Sequence, residues 1–330
     1  MLDPVGNRTS DASTIPSISA LTSSYNADDE ILSAETYDAN GNTLTTGGRT
    51  FAYDSENRLT SMNGGAVSVI YDGDGNRVVK TAGGVTTLYL VDDLNPTGYA
   101  QVVEEMSGAA VQREYTYGLQ RISQNQLISG TWTESFYGYD GGGSVRQLTN
   151  LAGTVTDTYN YDAFGNLLNS TGSTPNNYLY RGEQYDPNLN LYYLRARYYN
   201  PATGRFLSRD PESGRPISPK TFHKYLYASG DPVNRVDPRG RGAMIEGVLL
   251  RAVVLGVVAA QYFVELDPNS QFIVVAAVAC VGNRLKSAYD LIGYGLEGSG
   301  IDLYGHDDPS PSDTPIDTVC KDLSFAFPSL

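Results

Sequence analysis

Residues 71–80 read YDGDGNRVVK, and the meaning given to their acids decides the fold. Asp72, Asp74 and Asn76 alternate as at the start of a calcium loop. Such a loop needs glycine at its sixth position and a bidentate acid at its twelfth. Those positions hold Arg77 and Gly83. The phrase also recurs with its acids changed: YDANGN at 37–42, YDSENRL at 53–59 and YDAFGNLL at 161–168. Only Tyr-Asp and the turn residues persist. A metal site keeps its ligands and a structural repeat keeps its corner, so the stretch is read as a repeat, with no metal or cofactor expected.

The best-formed unit is GGRTFAYDSENRLTSM, residues 47–62. Polar and bulky residues alternate up to Tyr53, a short turn follows, and Arg58 and Leu59 resume: strand, turn, strand. Asp bonds its own backbone two residues on, and Gly or Asn accepts positive φ, so both suit a corner. Tyr fits a half-buried sheet face with its ring packed and its hydroxyl in water.

Composition agrees with an all-β chain: 35 Gly, 16 Pro and 25 Tyr against one Trp. A formal charge of −14 leaves no basic face to displace counterions, which argues against nucleic acid as a partner. Two cysteines, Cys280 and Cys320, exclude a disulfide framework but leave one bridge open. The start, MLDPVGNRTSDAST, has neither a basic nor an apolar leader segment, so no signal peptide is read there. LDPVGNRTS itself resembles the second half of a repeat, which implies that the chain begins inside a longer array.

The Tyr-Asp units resemble the YD repeats of the Rhs (rearrangement hotspot) family. YRGEQYDPNLNLYYLRARYYNPATGRFLSRDP at 180–211 and YLYASGDPVNRVDPRG at 225–240 resemble its repeat-associated core. The resemblance implies a mainly β fold: antiparallel hairpins in a spiral sheet, here a partial shell, with a core plug and a C-terminal α or mixed segment. The expected divisions are 1–34, a partial repeat and linker; 35–137, YD-repeat hairpins; 138–241, the core domain; and 242–330, a variable C-terminal segment. It also implies a structural and delivery module that encloses and presents a C-terminal effector in contact-dependent competition. Implied partners are an upstream YD-repeat shell or the chain's own C-terminal segment, and a secretion-system or target-cell surface. The implied location is secreted or at the cell surface. A cell-surface adhesion or carbohydrate-contact role is the weaker alternative.

In several members the core is an aspartic autoprotease. Peptide hydrolysis by carboxylates needs two of them together, one protonated and one ionised. The resemblance places these roles on Asp210 and Asp237, with Arg197 holding one carboxylate ionised by a two-pronged contact. Cleavage would fall between Arg241 and Gly242. The family's leucine before the cut is Arg241 here, a charge that an apolar subsite would have to desolvate. The competing reading makes the two acids Asp-Pro turn residues and Arg197 their structural clamp.

Other candidates carry less chemistry. His223 and His306 lack a nucleophile or acid at catalytic spacing. His306 with Asp307 and Asp308 lies in a Pro- and Ser-rich acidic stretch, read as solvated. YDGGGSVRQL at 139–148 lacks the Lys-Ser/Thr of a phosphate loop and is read as a turn. GVLLRAVVLGVVAAQYFV at 247–264 reaches membrane-spanning length, while FIVVAAVACVG at 272–282 does not. Residues 247–282 are therefore read as sheltered apolar elements, with a membrane-contacting hairpin as the alternative.

Overall fold

The computed structural model describes residues 2–11, 20–95, 97–214, 219–242 and 244–245. The readings of 247–282, of Cys280 and Cys320, of His306 with its two acids, and of an α or mixed C-terminal segment lie outside the described residues.

Fourteen strands, from Thr36–Tyr37 to Leu167–Thr171, form one antiparallel sheet whose spatial order is the chain order. Every connection is therefore a hairpin, as the repeats predict, and the sheet is open at both edges. The strand Thr131–Tyr139 runs through residue 138, so repeats and core share this sheet.

The corners are built by one device. Asp72 Oδ1 accepts the amides of Asp74 at 3.0 Å and Asn76 at 2.8 Å, and Asp72 Oδ2 accepts the Asn76 side-chain amide at 3.2 Å. Asp38, Asp54, Asp140 and Asp162 accept the same two amides, two and four residues on. The third residue after the Asp must turn left-handed, which Gly75 does with φ +85° and Asn57 with φ +62°. The Asp72 carboxylate is thus engaged by its own loop, which explains its calcium-like spacing without an ion. Asp3 and Asn26 build the same corner before residue 34.

The tyrosines behave differently from expectation. Their hydroxyls are not in water; they bond back to the preceding repeat. Tyr53 donates to Thr43 O at 3.0 Å, Tyr71 to Leu59 O at 2.8 Å and Tyr161 to Val145 O at 3.0 Å. Each acceptor lies five residues after the previous corner Asp, so the ring packs inward while its hydroxyl satisfies a carbonyl that the corner leaves free. Register also slips just before the tyrosine, at Ala52/Tyr53, Ile70/Tyr71, Gly138/Tyr139 and Asn160/Tyr161. Such bulges add local twist, which bends the sheet.

The bent sheet is filled by a second, four-stranded sheet made of Gln184–Asp186, Leu191–Leu194, Arg197–Asn200 and Arg205–Phe206. Leu191 to Leu194 are all buried. Alternate side chains point opposite ways along a strand. Leu191, Tyr193 and Tyr198 pack with Phe51, Leu59, Met62 and Val67 of the large sheet. Tyr192, Leu194, Tyr199 and Phe206 pack with Val145, Leu148 and Tyr159. Both faces of this plug are therefore covered, and each large side chain contributes about 1.5–3 kcal/mol of burial.

Candidate functional site

The site forms where the plug meets its own C-terminal turn. Leu194 pairs with Arg197 across a two-residue connection, Arg195–Ala196. That tight hairpin puts Arg197 at the start of a buried strand. Its guanidinium lies over the Phe206 ring, 3.6 Å from the centre, and its charge is almost fully removed from water.

Arg197 Nη2 lies 2.7 Å from Asp210 Oδ2 and 3.4 Å from Asp237 Oδ2. Nη1 donates to Lys224 O at 3.1 Å, and Nε donates to Gly240 O. This corrects the expected geometry. The guanidinium does not grip one carboxylate with two prongs; one nitrogen serves both acids while the others hold two backbone carbonyls. Asp210 is fixed by its own amide donating to Lys224 O and by Oδ1 accepting the Glu212 amide.

Asp237 opens the turn that follows. Its Oδ1 accepts the amides of Arg241 at 3.0 Å and Gly242 at 3.1 Å. Gly240 closes the turn with φ +63°, and a Cβ there would meet Leu194 O at 2.5 Å, so only glycine fits. Arg241 and Gly242 are exposed. The Arg241 charge thus stays in water, and the expected desolvation cost does not arise in this arrangement.

Burial pushes Asp237 up to about 6, against the lowering effect of Arg197 and the two amides. Burial also raises Asp210, again opposed by Arg197. Burial lowers Arg197, which the two carboxylates resist. The structure therefore brings Arg197, Asp210, Asp237, Arg241 and Gly242 to one place, with two acids whose proton affinities are raised.

His223 belongs elsewhere. Its Nδ1 accepts the amides of Tyr225 and Leu226, and Nε2 faces Asn7 Oδ1 at 2.7 Å. Burial pushes it down to about 4, and this neutral ring pins the N-terminal corner to the plug. Among the described residues no group of His, Cys, Asp and Glu is placed to hold a metal ion.

Sequence reasoning passed over Arg77, Glu183 and Arg195. Arg77 is a buried cation inside the stretch whose acids are spaced like a calcium loop, and a charge on an inward strand position was the available signal. Arg195 stands two residues before Arg197 in RARYY, but its partners come from three separate segments.

A meandering sheet of Tyr-Asp hairpins wrapped on a tyrosine-rich plug defines a YD-repeat shell. The family model of the teneurin YD-shell matches residues 6–233, and the chain belongs to that family, within the wider Rhs/YD-repeat group. It is 36% identical to the tRNA3(Ser)-specific nuclease WapA of Bacillus spizizenii, over 62% of this chain and 9% of that protein. Teneurin-4 of Mus musculus is 27% identical over 57% of this chain and 7% of its own length. In structure it resembles the Photorhabdus luminescens Tc holotoxin pore, with a TM-score of 0.50 and 19% identity, covering 62% of this chain and 10% of that one. That likeness speaks to the fold alone. The chain spans about a tenth of the length of each of these three proteins.

Proposed function

We propose that this chain is the plugged end of a YD-repeat shell that presents residues 242–330 as an effector, and that it cuts itself once between Arg241 and Gly242. The observation that carries the cleavage is the Asp237 carboxylate, which accepts the Arg241 amide and the Gly242 amide, the latter being the nitrogen of that bond, while sharing Arg197 with Asp210.

The roles follow from environment. Asp210 is nearer the guanidinium and its side chain is 15% exposed, so it keeps the ionised form; Asp237, at 2% exposure and pushed up to about 6, is the acid that holds a proton in the mildly acid range. Asp210 takes a proton from water as the oxygen attacks the Arg241 carbonyl carbon. In the resting turn Asp237 Oδ1 accepts the Gly242 N–H at 3.1 Å; once the carbon is tetrahedral and the nitrogen pyramidal, Asp237 gives its proton to the nitrogen lone pair as the carbon–nitrogen bond breaks. The products are an Arg241 carboxylate and a Gly242 amine, and the acids end with their protons exchanged.

The shell role is supported by the plug, covered on both faces, and by the family. A relative named as a nuclease suggests an effector after the plug. The open sheet edge at Thr36–Tyr37 suits further strands from upstream repeats. A secreted or cell-surface location, with a secretion-system or target-cell surface as partner, goes with this reading.

The test is expression of the whole chain, a denaturing gel and N-terminal sequencing. The expected result is two fragments, 1–241 and 242–330, the second beginning at Gly242. Asp210→Asn and Asp237→Asn should each leave one uncut band with an unchanged β-type circular dichroism spectrum. If the folded wild type and Arg241→Leu both stay whole, self-cleavage is wrong and the shell role stands alone.

A further inference from the structure

The connection between the strands Val85–Asp92 and Gln101–Ser107 is longer than the other hairpin loops of the large sheet. Its described residues bond to one another: Asn95 Nδ2 donates to Asp92 O and to Tyr99 O, both at 2.7 Å. Its last residues reach the turn that contains the cut. Arg239, from the Asp-Pro-Arg-Gly turn, lies 5.4 Å from the Tyr99 ring centre and its Nη2 donates to Gly98 O at 3.4 Å. Arg195 lies 5.4 Å from the same ring and its Nε donates to Ala100 O at 2.9 Å. Arg195 Nη1 binds Glu183 at 2.9 Å and also donates to Pro238 O, inside the turn.

We propose that Gly98–Tyr99–Ala100 is a clamp supplied by the shell, in which Tyr99 gathers Arg195 and Arg239 and so positions the 237–242 turn for self-cleavage. The proposal rests on the self-cleavage reading and adds a positioning residue to it. Tyr99 touches no reacting atom; it acts through two cations whose attraction to a ring face falls away when the ring is removed. It also makes the residue between Asp237-Pro238 and Gly240 a point of selection. A planar cation there meets both a ring and a carbonyl, which a short or acidic side chain does not. Cutting then depends in part on a shell hairpin that is remote in sequence: a plug without its shell would keep the acids and the turn's bonds to Arg197 and Asp237 but lose the ring that gathers Arg195 and Arg239.

The clamp is read by amide exchange in the uncut Asp210→Asn chain. Tyr99→Ala should speed exchange over 237–242 about tenfold, the order expected for losing two ring–cation contacts. Exchange in Val85–Asp92 and Gln101–Ser107 should stay as it was, and Tyr99→Phe should restore slow exchange in the turn. In the chain with Asp210 intact, Tyr99→Ala should slow cutting by a similar factor. Unchanged exchange over 237–242 in Tyr99→Ala overturns the clamp, and so does equal acceleration in Tyr99→Phe. If exchange behaves as expected but wild type gives no cut band, the clamp holds and the self-cleavage reading falls.

Discussion

Arg77 joins the shell to the plug, and replacing it measures that joint. Its side chain is 1% exposed and that of its partner Asp186 is 0% exposed, so neither charge has water to fall back on. Nη1 lies 3.0 Å from Asp186 Oδ2 and donates to the Tyr198 hydroxyl at 3.1 Å. Nη2 donates to Gln184 Oε1 at 2.6 Å, and the guanidinium sits 4.7 Å from the Tyr89 ring centre and 4.5 Å from that of Tyr193. Arg77→Met keeps most of the stem and removes the charge. Breaking a buried pair from one side costs about 3–5 kcal/mol. Lys80 Nζ remains 2.9 Å from Asp186 Oδ2, which points to the lower end, about 3 kcal/mol. In urea unfolding the midpoint should drop by about 1 M, because a protein of this size loses about 2–3 kcal/mol per molar urea. Adding Lys80→Met removes the cation that still faces Asp186 and strands that carboxylate, so the double variant should be less stable than Arg77→Met by at least about 1 kcal/mol. A loss below about 1 kcal/mol in Arg77→Met, or a double variant as stable as the single, would refute the idea that a buried ion pair fastens the plug.

Other outcomes follow from the corners and the site. Asp72→Ala strands two backbone amides and should cost about 1–2 kcal/mol in thermal unfolding, while added calcium should leave the wild-type midpoint unmoved. Gly240→Ala puts a Cβ against Leu194 O at positive φ; it should cost about 2 kcal/mol or more and slow cutting, as seen on the same gel. If Asp237 is the acid, the rate of cutting after refolding should fall about tenfold per pH unit above its raised pKa of about 6. The folded chain also binds more protons at Asp237 than the unfolded chain does between about pH 4 and 6. Stability should therefore fall by about 3 kcal/mol as pH rises through that window, and Asp237→Asn should remove that slope in urea midpoints.

The sequence by itself determined the repeat and its corner. Tyr-Asp followed by Gly-Asn is legible because the corner closes within five residues: Asp72 bonds Asp74 and Asn76, and Gly75 supplies the left-handed turn. Through the quoted core motifs it also pointed to Asp210, Asp237 and Arg197, which the structure brings together. It did not determine their geometry. The expected two-pronged grip became one nitrogen shared by two acids, because Lys224 O and Gly240 O, from other turns, claim the remaining donors. The tyrosine hydroxyls were expected in water and instead bond one repeat back, a distance fixed by strand register. The contacts of Arg77 with Asp186 and of Tyr99 with Arg195 and Arg239 join segments far apart in the chain. Local bonds follow the order of residues, so the sequence spells them. A buried charge finds its partner only after the sheet has bent around the plug and excluded water, and that pairing was decided by the tertiary structure.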